Sequence, residues 1–311
     1  MKAFACVVLL FLVFEVADCR SFAMPVQRII RPTIHNTTRL TALMDVYGQA
    51  LSNTANVQYR GKISIGTPGQ SFNVVFGADA PQLSLPESVV FGAASELTFS
   101  DEGILGLGST VNPLEFGSSI VHEAYRQGVL DAPLFSVWMQ KCEEECEDGG
   151  VIQFGSEDRV HCQRVRPRDW VPVDEGVAYW QFTLQGGRMG GSRVQLPAKA
   201  IADSGTSLLV FPLLIADEFA RGVGARKVAA FYFLPCSSRF SFDFEVNGRR
   251  YSIPARHLLL EVGNGECQLA MQAGSFGVWI LGTPFFRSHC QVHDFARRRV
   301  AFARVKRAFR G

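Results

Sequence analysis

The chain has 311 residues, 47% of them hydrophobic and 19% charged, so it holds enough apolar material for a buried core and does not have the composition of a disordered protein. At roughly 150 residues per domain, this length predicts about two domains. The formal net charge of +2 hides an asymmetry, because seven basic residues and no acid lie between Ala296 and Gly311. The rest of the chain is mildly acidic, which disfavours a nucleic-acid-binding face.

The first residues have the pattern of a secretory signal peptide. An unbroken apolar run from Ala3 to Phe14 follows a positively charged start. The run is shorter than the roughly 20 residues that a membrane-spanning helix needs. Ala17 and Cys19 occupy the −3 and −1 positions of a cleavage site. We therefore predict a signal peptide over residues 1–19, no transmembrane segment, and an extracellular or lysosome-like acidic location.

Six cysteines follow the predicted signal: Cys142, Cys146, Cys162, Cys236, Cys267 and Cys290. An even number suits up to three disulfides in an oxidising compartment, and six cysteines allow 15 pairings. A metal site at the first two would need a second pair with zinc-ligand spacing, which the sequence lacks, so a disulfide-tied acidic loop is favoured.

Asn36, in Asn-Thr-Thr, is a glycosylation acceptor. The histidines show no ligand spacing, and we expect neither a metal nor a cofactor.

Predicted elements change character along the chain. Residues 20–56 have a mixed pattern, with helical spacing of apolar residues over 37–51. Beyond them, short alternating or β-rich segments bounded by turn residues predict strands, with two short helices between them. The predicted strands cover 62–65, 71–76, 83–86, 135–139 and 151–154, with a turn at 149–150, and the helices cover 118–127 and 213–219. The sequence therefore predicts a mostly-β, two-lobed chain behind a leader.

A weak internal repeat suggests duplication of a β unit. One strand ends at Gly77-Ala78-Asp79 and another at Asp203-Ser204-Gly205. Each is followed later by two apolar residues and a glycine, at 103–106 and at 279–282. The same order of strand, turn and apolar-Gly segment in both halves indicates a duplicated β fold.

These motifs resemble those of the pepsin-like aspartic peptidases. The segment 200–209 is similar to the second catalytic loop of that family, and 279–287 is similar to its closing motif. In the first half, 59–72 and 103–108 resemble the opening strand and the first apolar-Gly segment. The resemblance covers residues 57–311 and implies an all-β, bilobal fold with a truncated first lobe.

The same resemblance assigns the parts of the chain. It implies a propeptide-like leader over 20–56, an N-terminal lobe over 57–168 and a C-terminal lobe over 169–311. Cys236 and Cys267 lie where the family places a C-lobe disulfide.

In this family two carboxylates, one from each lobe, activate a water against a peptide bond. Two close like charges cannot both ionise, so they share a proton and divide the roles of base and acid. The resemblance assigns one carboxylate to Asp203, with Ser204, Gly205 and Thr206 as its supporting loop.

The first half departs from the pattern at the position of the other aspartate. Counting forward from Gly66-Thr67-Pro68 and backward from Leu85-Pro86 places Gly77 at that position. Asp79 lies where the family has a glycine, so its use would need a shift of register, and Pro81 restricts the residue before it. Asp203 is then expected to remain an ionised, lone carboxylate that orients its loop.

A second departure is a deletion between Pro86 and Gly103. The family carries several dozen more residues there, including the β-hairpin flap and its tyrosine, whereas here Ser88 runs almost directly into a segment that resembles the one after the flap. Loss of the flap removes the lid that excludes water and clamps the substrate.

These observations predict a secreted, monomeric pepsin-family homologue with little or no peptidase activity that binds polypeptide in the remaining cleft. One alternative is an active aspartic endopeptidase, working through Asp79 or through a dimer that brings two Asp203 loops together. Another is a secreted structural protein, or one that binds anionic glycans through its basic tail. For that tail, charge on an exposed strand edge is the plainer interpretation.

Overall fold

The computed structural model of the chain describes residues 21–30, 57–65, 70–77, 103–109, 119–142, 146–195, 197–275 and 277–310. Strands dominate these ranges, and the all-β, bilobal fold predicted from the sequence is confirmed. The predicted signal peptide, Asn36, the helix over 37–51 and the strand over 83–86 lie outside the described residues.

The first half contributes six strands to one sheet and also contains a short helix. They are β1 (Phe22–Ile30), β2 (Val57–Ile65), β3 (Gln70–Gly77), β4 (Gly103–Gly106), helix α1 (Ile120–Arg126), β5 (Leu134–Met139) and β6 (Cys146–Phe154).

The second half holds the remaining strands and two helices. They are β7 (Trp170–Pro172), β8 (Gln181–Leu184), β9 (Gly187–Met189), β10 (Ser192–Val194), β11 (Ala198–Ala202), β12 (Leu209–Pro212), α2 (Leu213–Gly222), β13 (Arg226–Val228), β14 (Phe231–Pro235), β15 (Ser241–Val246), β16 (Arg249–Pro254), β17 (Leu259–Gly263), β18 (Glu266–Leu269), β19 (Met271–Gly274), β20 (Trp279–Leu281), α3 (Thr283–Ser288), β21 (His289–Asp294) and β22 (Arg299–Arg304).

A nine-stranded sheet joins the two halves, in the order β4-β3-β2-β1-β6-β5-β21-β22-β7. A five-stranded sheet, β19-β12-β20-β11-β8, carries the loop that contains Asp203. Two four-stranded sheets complete the second half, in the orders β10-β9-β15-β16 and β13-β14-β18-β17.

The core of the second half is aromatic. Phe211, Phe219, Phe242 and Trp279 are at most 2% exposed and pack mainly edge to face, with ring centroids 5.0 Å apart for Phe211 and Trp279. Burial of each such side chain contributes about 1.5–3 kcal/mol. These rings come from four different elements, so their packing fixes the sheet that holds the Asp203 loop.

Strand β1 is the largest departure from the sequence-based expectation, because it lies in the predicted leader. It pairs with β2 on one side and β6 on the other, in the middle of the large sheet. Val26 is fully buried, and the ring of Phe22 stacks on Phe154 with centroids 4.9 Å apart. Pro25 and the polar residues of this segment interrupt its alternation, which is why the sequence pattern does not show a strand.

The predicted turn at 149–150 is wrong, because both glycines lie inside β6. A Cβ on Gly149 would lie 2.4 Å from the Arg28 backbone nitrogen, and one on Gly150 would lie 2.3 Å from the Trp138 carbonyl oxygen. The glycines therefore allow close approach of β1 and β5, whereas the sequence pattern suggested a reversal of the chain.

The last strand is not an exposed edge as predicted, because β22 lies between β21 and β7. Two basic residues at the beginning of this strand make internal contacts. Arg299 donates to the buried Asp294 at 2.9 Å and stacks over the Trp170 ring at 3.9 Å. Arg298 donates to the Asp174 carbonyl oxygen at 3.0 Å.

Two disulfides join described residues. Cys236 and Cys267 are bonded, as the family resemblance implies, and Cys162 is bonded to Cys290. Cys142 is also in a disulfide.

Candidate active site

Asp203 lies at the end of β11, which is enclosed between β8 and β20. The side chain is only 1% exposed. One carboxylate oxygen, Oδ1, accepts the Gly205 backbone N–H at 2.8 Å. The other, Oδ2, accepts the Thr206 hydroxyl. Hydrogen bonds from donors to both oxygens hold the carboxylate in one orientation.

Gly282 and Thr283, which directly follow β20, contact the backbone of this loop. A Cβ on Gly282 would lie 2.3 Å from the Thr206 carbonyl oxygen, so only glycine allows the two backbones to pass. Thr283 then donates its N–H to the Thr206 carbonyl at 2.8 Å and its hydroxyl to the Ser207 carbonyl at 2.9 Å. Sequence reasoning did not single out Thr283, because its role lies in contacts with a segment 76 residues away.

The first half repeats this arrangement of strands. β3 pairs in parallel with β4, with Gly77 opposite Gly106, just as β11 pairs in parallel with β20. The Leu107 N–H donates to the Gly77 carbonyl at 2.8 Å. The repeat seen in the sequence therefore corresponds to a repeated strand pairing, with Gly77 at the end of its strand.

The two halves meet at the ends of β3 and β11. The Ser204 hydroxyl donates to the Phe76 carbonyl oxygen at 2.6 Å, in a buried contact. A Cβ on Gly205 would lie 3.1 Å from the Gly77 Cα. Gly77 thus faces the Asp203 loop with no side chain. Ala78 and Asp79 lie outside the described residues, as does the segment 87–102.

A second set of contacts joins the halves beside this junction. The Trp180 indole N–H donates to the Leu107 carbonyl at 2.7 Å, and the Ser109 hydroxyl donates to the Tyr179 carbonyl at 2.6 Å. Trp180 is fully buried. No signal in the sequence identified the partner of Trp180.

Among the residues described at this junction, two determine the available chemistry. Asp203 provides a fixed carboxylate that can accept a proton or bind a cationic group, and Gly77 provides only backbone. Among the residues that the structure describes, no group of His, Cys, Asp and Glu side chains could hold a metal ion. Within the same residues, no helix is long and apolar enough to cross a membrane.

The sequence profile of the eukaryotic aspartyl protease family matches residues 82–305, which is most of the chain. The chain therefore belongs to that family, and its pepsin-like fold is that of an aspartic peptidase. The matched range includes the Asp203 loop and begins after Gly77.

Individual relatives agree with this assignment. Aspartic protease 6 of Caenorhabditis elegans is 32% identical over 79% of this chain, and aspartic protease 2 of Necator americanus is 32% identical over 75%. The chain spans 66% and 57% of the lengths of these two relatives. Pepsin A of Bos taurus is 27% identical in an alignment of 330 positions, which covers 83% of this chain and 87% of pepsin A.

Proposed function

We propose that this family member has lost ordinary endopeptidase activity and binds polypeptide in the cleft between its lobes. The observation that carries the proposal is the glycine at position 77. The second-half loop supplies the Asp203 carboxylate, and Gly77, which lies against Gly205 of that loop, has no side chain.

Loss of one carboxylate removes one of the two groups that the reaction needs. Peptide hydrolysis by this family needs a base to activate water and an acid to protonate the departing groups. Each such group contributes about 10²–10⁴-fold to the rate. With Gly77 at the position of the family's first aspartate, that position supplies no acid to match the Asp203 carboxylate, which Gly205 and Thr206 hold. We therefore assign Asp203 an orienting and ligand-binding role.

The proposal includes the loss of the flap. An alignment of 330 positions is longer than this whole chain, yet it covers only 83% of it. Many positions of pepsin A therefore have no counterpart here, as a deletion between Pro86 and Gly103 would produce. A cleft without its lid excludes water poorly, which lowers turnover further.

The contacts at the junction bear on the dimer alternative. In a dimer of two Asp203 loops, the second loop would have to take the place next to Gly205 that Gly77 occupies. It would also break the buried hydrogen bond from Ser204 to the Phe76 carbonyl, at a cost of about 1–3 kcal/mol per subunit. These costs favour a monomer with one carboxylate. Use of Asp79 as the second carboxylate stays an alternative, and it predicts peptidase activity in the monomer.

The basic tail favours a structural role over binding of an anionic glycan. Arg299 and Arg298 make contacts within the protein, and the Lys306 ammonium donates to the Arg159 carbonyl. Charges used in this way are less available to an external anion.

The proposal also covers the leader segment and the location of the protein. We propose that the chain is exported, and that β1 of the leader remains in the mature fold because it lies between β2 and β6. Removal of this strand would expose a row of backbone groups on both neighbours.

The test follows the fate of peptides bound to the purified full chain. Fluorescently labelled decapeptides of varied sequence are incubated at pH 4 and pH 7, binding is measured by anisotropy, and chain length by mass spectrometry. We expect bound peptides that stay intact. Absence of binding by all peptides would refute the binding function. Shortened products that a pepstatin-type inhibitor suppresses would refute the loss of activity, and Asp79→Asn would then show whether Asp79 supplies it.

A further inference from the structure

Two hairpins of the second half turn on an Asn-Gly pair. Asn247-Gly248 joins β15 to β16, and Asn264-Gly265 joins β17 to β18. The φ angles are +50° and +71° in the first pair and +54° and +73° in the second, as in two-residue loops of type I′. Both asparagines are exposed. A glycine after asparagine favours attack of the backbone on the side-chain amide, because glycine has no Cβ to shield its nitrogen.

The Asn247 hairpin is held beside its turn. The Asn247 amide donates to the Trp170 carbonyl oxygen at 3.2 Å. Strands β15 and β16 stay in register up to Val246 and Arg249, which flank the turn. Arg249 also forms an ion pair with the buried Asp169. The turn is therefore tied to residues 169–170, and a reaction of the Asn247 side chain would first have to break its hydrogen bond.

The Asn264 hairpin is held less firmly. Residues 261–265 are all exposed, and a β-bulge interrupts the pairing of β17 with β18 between Glu261 and Gly263. Gly263 and Gly265 have open space where a Cβ would lie. Within the described part of the chain, the Asn264 side chain has no hydrogen-bond partner. A loop with few buried contacts opens locally at a low free-energy cost, so the Asn264 amide can rotate towards the next backbone nitrogen.

We propose that Asn264 is a site of spontaneous deamidation, with water as the co-reactant. The Gly265 backbone nitrogen loses its proton and attacks Cγ of the Asn264 side chain. The new C–N bond closes a succinimide ring, and the bond from Cγ to the amide nitrogen breaks. That nitrogen takes up a proton and leaves as ammonia. Water then adds to either ring carbonyl and opens the ring, which gives aspartate or isoaspartate at position 264.

The two products affect the hairpin differently. Aspartate preserves the turn, because Asp-Gly is also favoured in type I′ loops, and it adds a negative charge two residues before Glu266. Isoaspartate carries the main chain through its side-chain carbons, so the two-residue loop is lost. The Gly265 carbonyl accepts the Cys236 N–H at 2.9 Å, so this product also disturbs the backbone at the Cys236–Cys267 disulfide. The inference does not depend on whether the protein is a peptidase.

Peptide mapping of the folded full chain tests the proposal. Trypsin places Asn247 in peptide 240–249 and Asn264 in peptide 257–287, and neither peptide contains another asparagine. The chain is incubated at 37 °C and at pH 6.5, 7.5 and 8.5, and replacement of NH₂ by OH is followed by mass spectrometry. We expect Asn264 to react about 2- to 10-fold faster than Asn247, the factor that corresponds to one hydrogen bond. The rate is expected to rise with pH, since the attacking nitrogen must lose its proton.

Two matched variants and an unfolded sample provide the controls. Isoaspartate is measured by methyl transfer from an isoaspartate-specific methyltransferase. Most of this signal is expected to be lost in Asn264→Ser and retained in Asn247→Ser. In the urea-unfolded chain both asparagines are expected to react at similar rates. A reaction at Asn247 that is as fast as or faster than at Asn264 in the folded chain would overturn the proposal. So would an unreactive Asn264 in the folded chain under conditions in which the unfolded chain reacts there.

Discussion

Replacement of His293 by phenylalanine should make the protein more resistant to acid. His293 lies on β21, is fully buried, and stacks on Phe135 with ring centroids 4.4 Å apart. Neither ring nitrogen has a partner among the described residues. Burial lowers the pKa of His293 from 6.5 to about 3. A planar apolar ring can keep the stacking and removes the two unpartnered nitrogens.

The magnitude follows from proton linkage. Because the folded-state pKa lies below the unfolded one, the unfolded chain takes up the proton first. The stability due to a neutral His293 is therefore complete above pH 6.5 and is lost as the pH falls towards 3. At pH 4.5, two pH units below the unfolded pKa, the loss is about 3 kcal/mol. His293→Phe should recover most of this, with a smaller gain at pH 7.5 from removing the buried nitrogens.

The assay is urea unfolding of the wild type and the variant at pH 7.5 and pH 4.5. We expect the difference in unfolding free energy between the two proteins to grow by about 2–3 kcal/mol on acidification. His122, which is exposed on α1, provides the control His122→Phe, for which the difference should not grow. Equal pH dependence of wild type and His293→Phe would refute the reasoning. So would a variant that is less stable at both pH values.

Three further substitutions test the fold. Ser204→Ala removes the hydroxyl that joins the halves and should cost about 1–3 kcal/mol in urea unfolding, whereas Ser252→Ala on an exposed position should change stability by less than about 0.5 kcal/mol. Equal changes in stability for Ser204→Ala and Ser252→Ala would contradict a stabilising role of the Ser204 hydrogen bond between the halves. Val26→Ala should cost about 1–3 kcal/mol if β1 is a core strand, and a change below about 0.5 kcal/mol would contradict that placement. Gly149→Ala places a methyl 2.4 Å from the Arg28 nitrogen and should cost about 1–3 kcal/mol, with faster proteolysis of β1 in limited digestion, and unchanged proteolysis would contradict the close approach.

The two-lobed β fold and the Asp203 loop could be predicted from the sequence because their determinants are local. Each determinant leaves a short motif in the sequence: a glycine that packs against a loop, a hydroxyl next to a carboxylate, or alternating apolar residues in a strand. The internal repeat predicted a duplicated β unit, and the structure shows it as the parallel pairing of β3 with β4 and of β11 with β20.

The features that escaped prediction depend on distant partners. Strand β1 has a broken alternation and is recognised only by what it pairs with. The sequence predicts a turn at the glycines 149 and 150, because it does not show which backbone segments approach them in the fold. Arg28 and Arg287, more than 250 residues apart in the sequence, are both buried in the fold. The apparently free charges of the tail are used by acids and carbonyls elsewhere in the fold.

The most direct test of the lost activity is the ratio of kcat/KM between the wild type and Asp203→Asn on one chromogenic peptide at pH 4. If Asp203 has no partner carboxylate, both proteins should show the same background rate, and the ratio should be close to one. A working pair would lose at least about 10²-fold on this substitution. A ratio above about 10², with inhibition of the wild type by a pepstatin-type compound, would contradict the central claim.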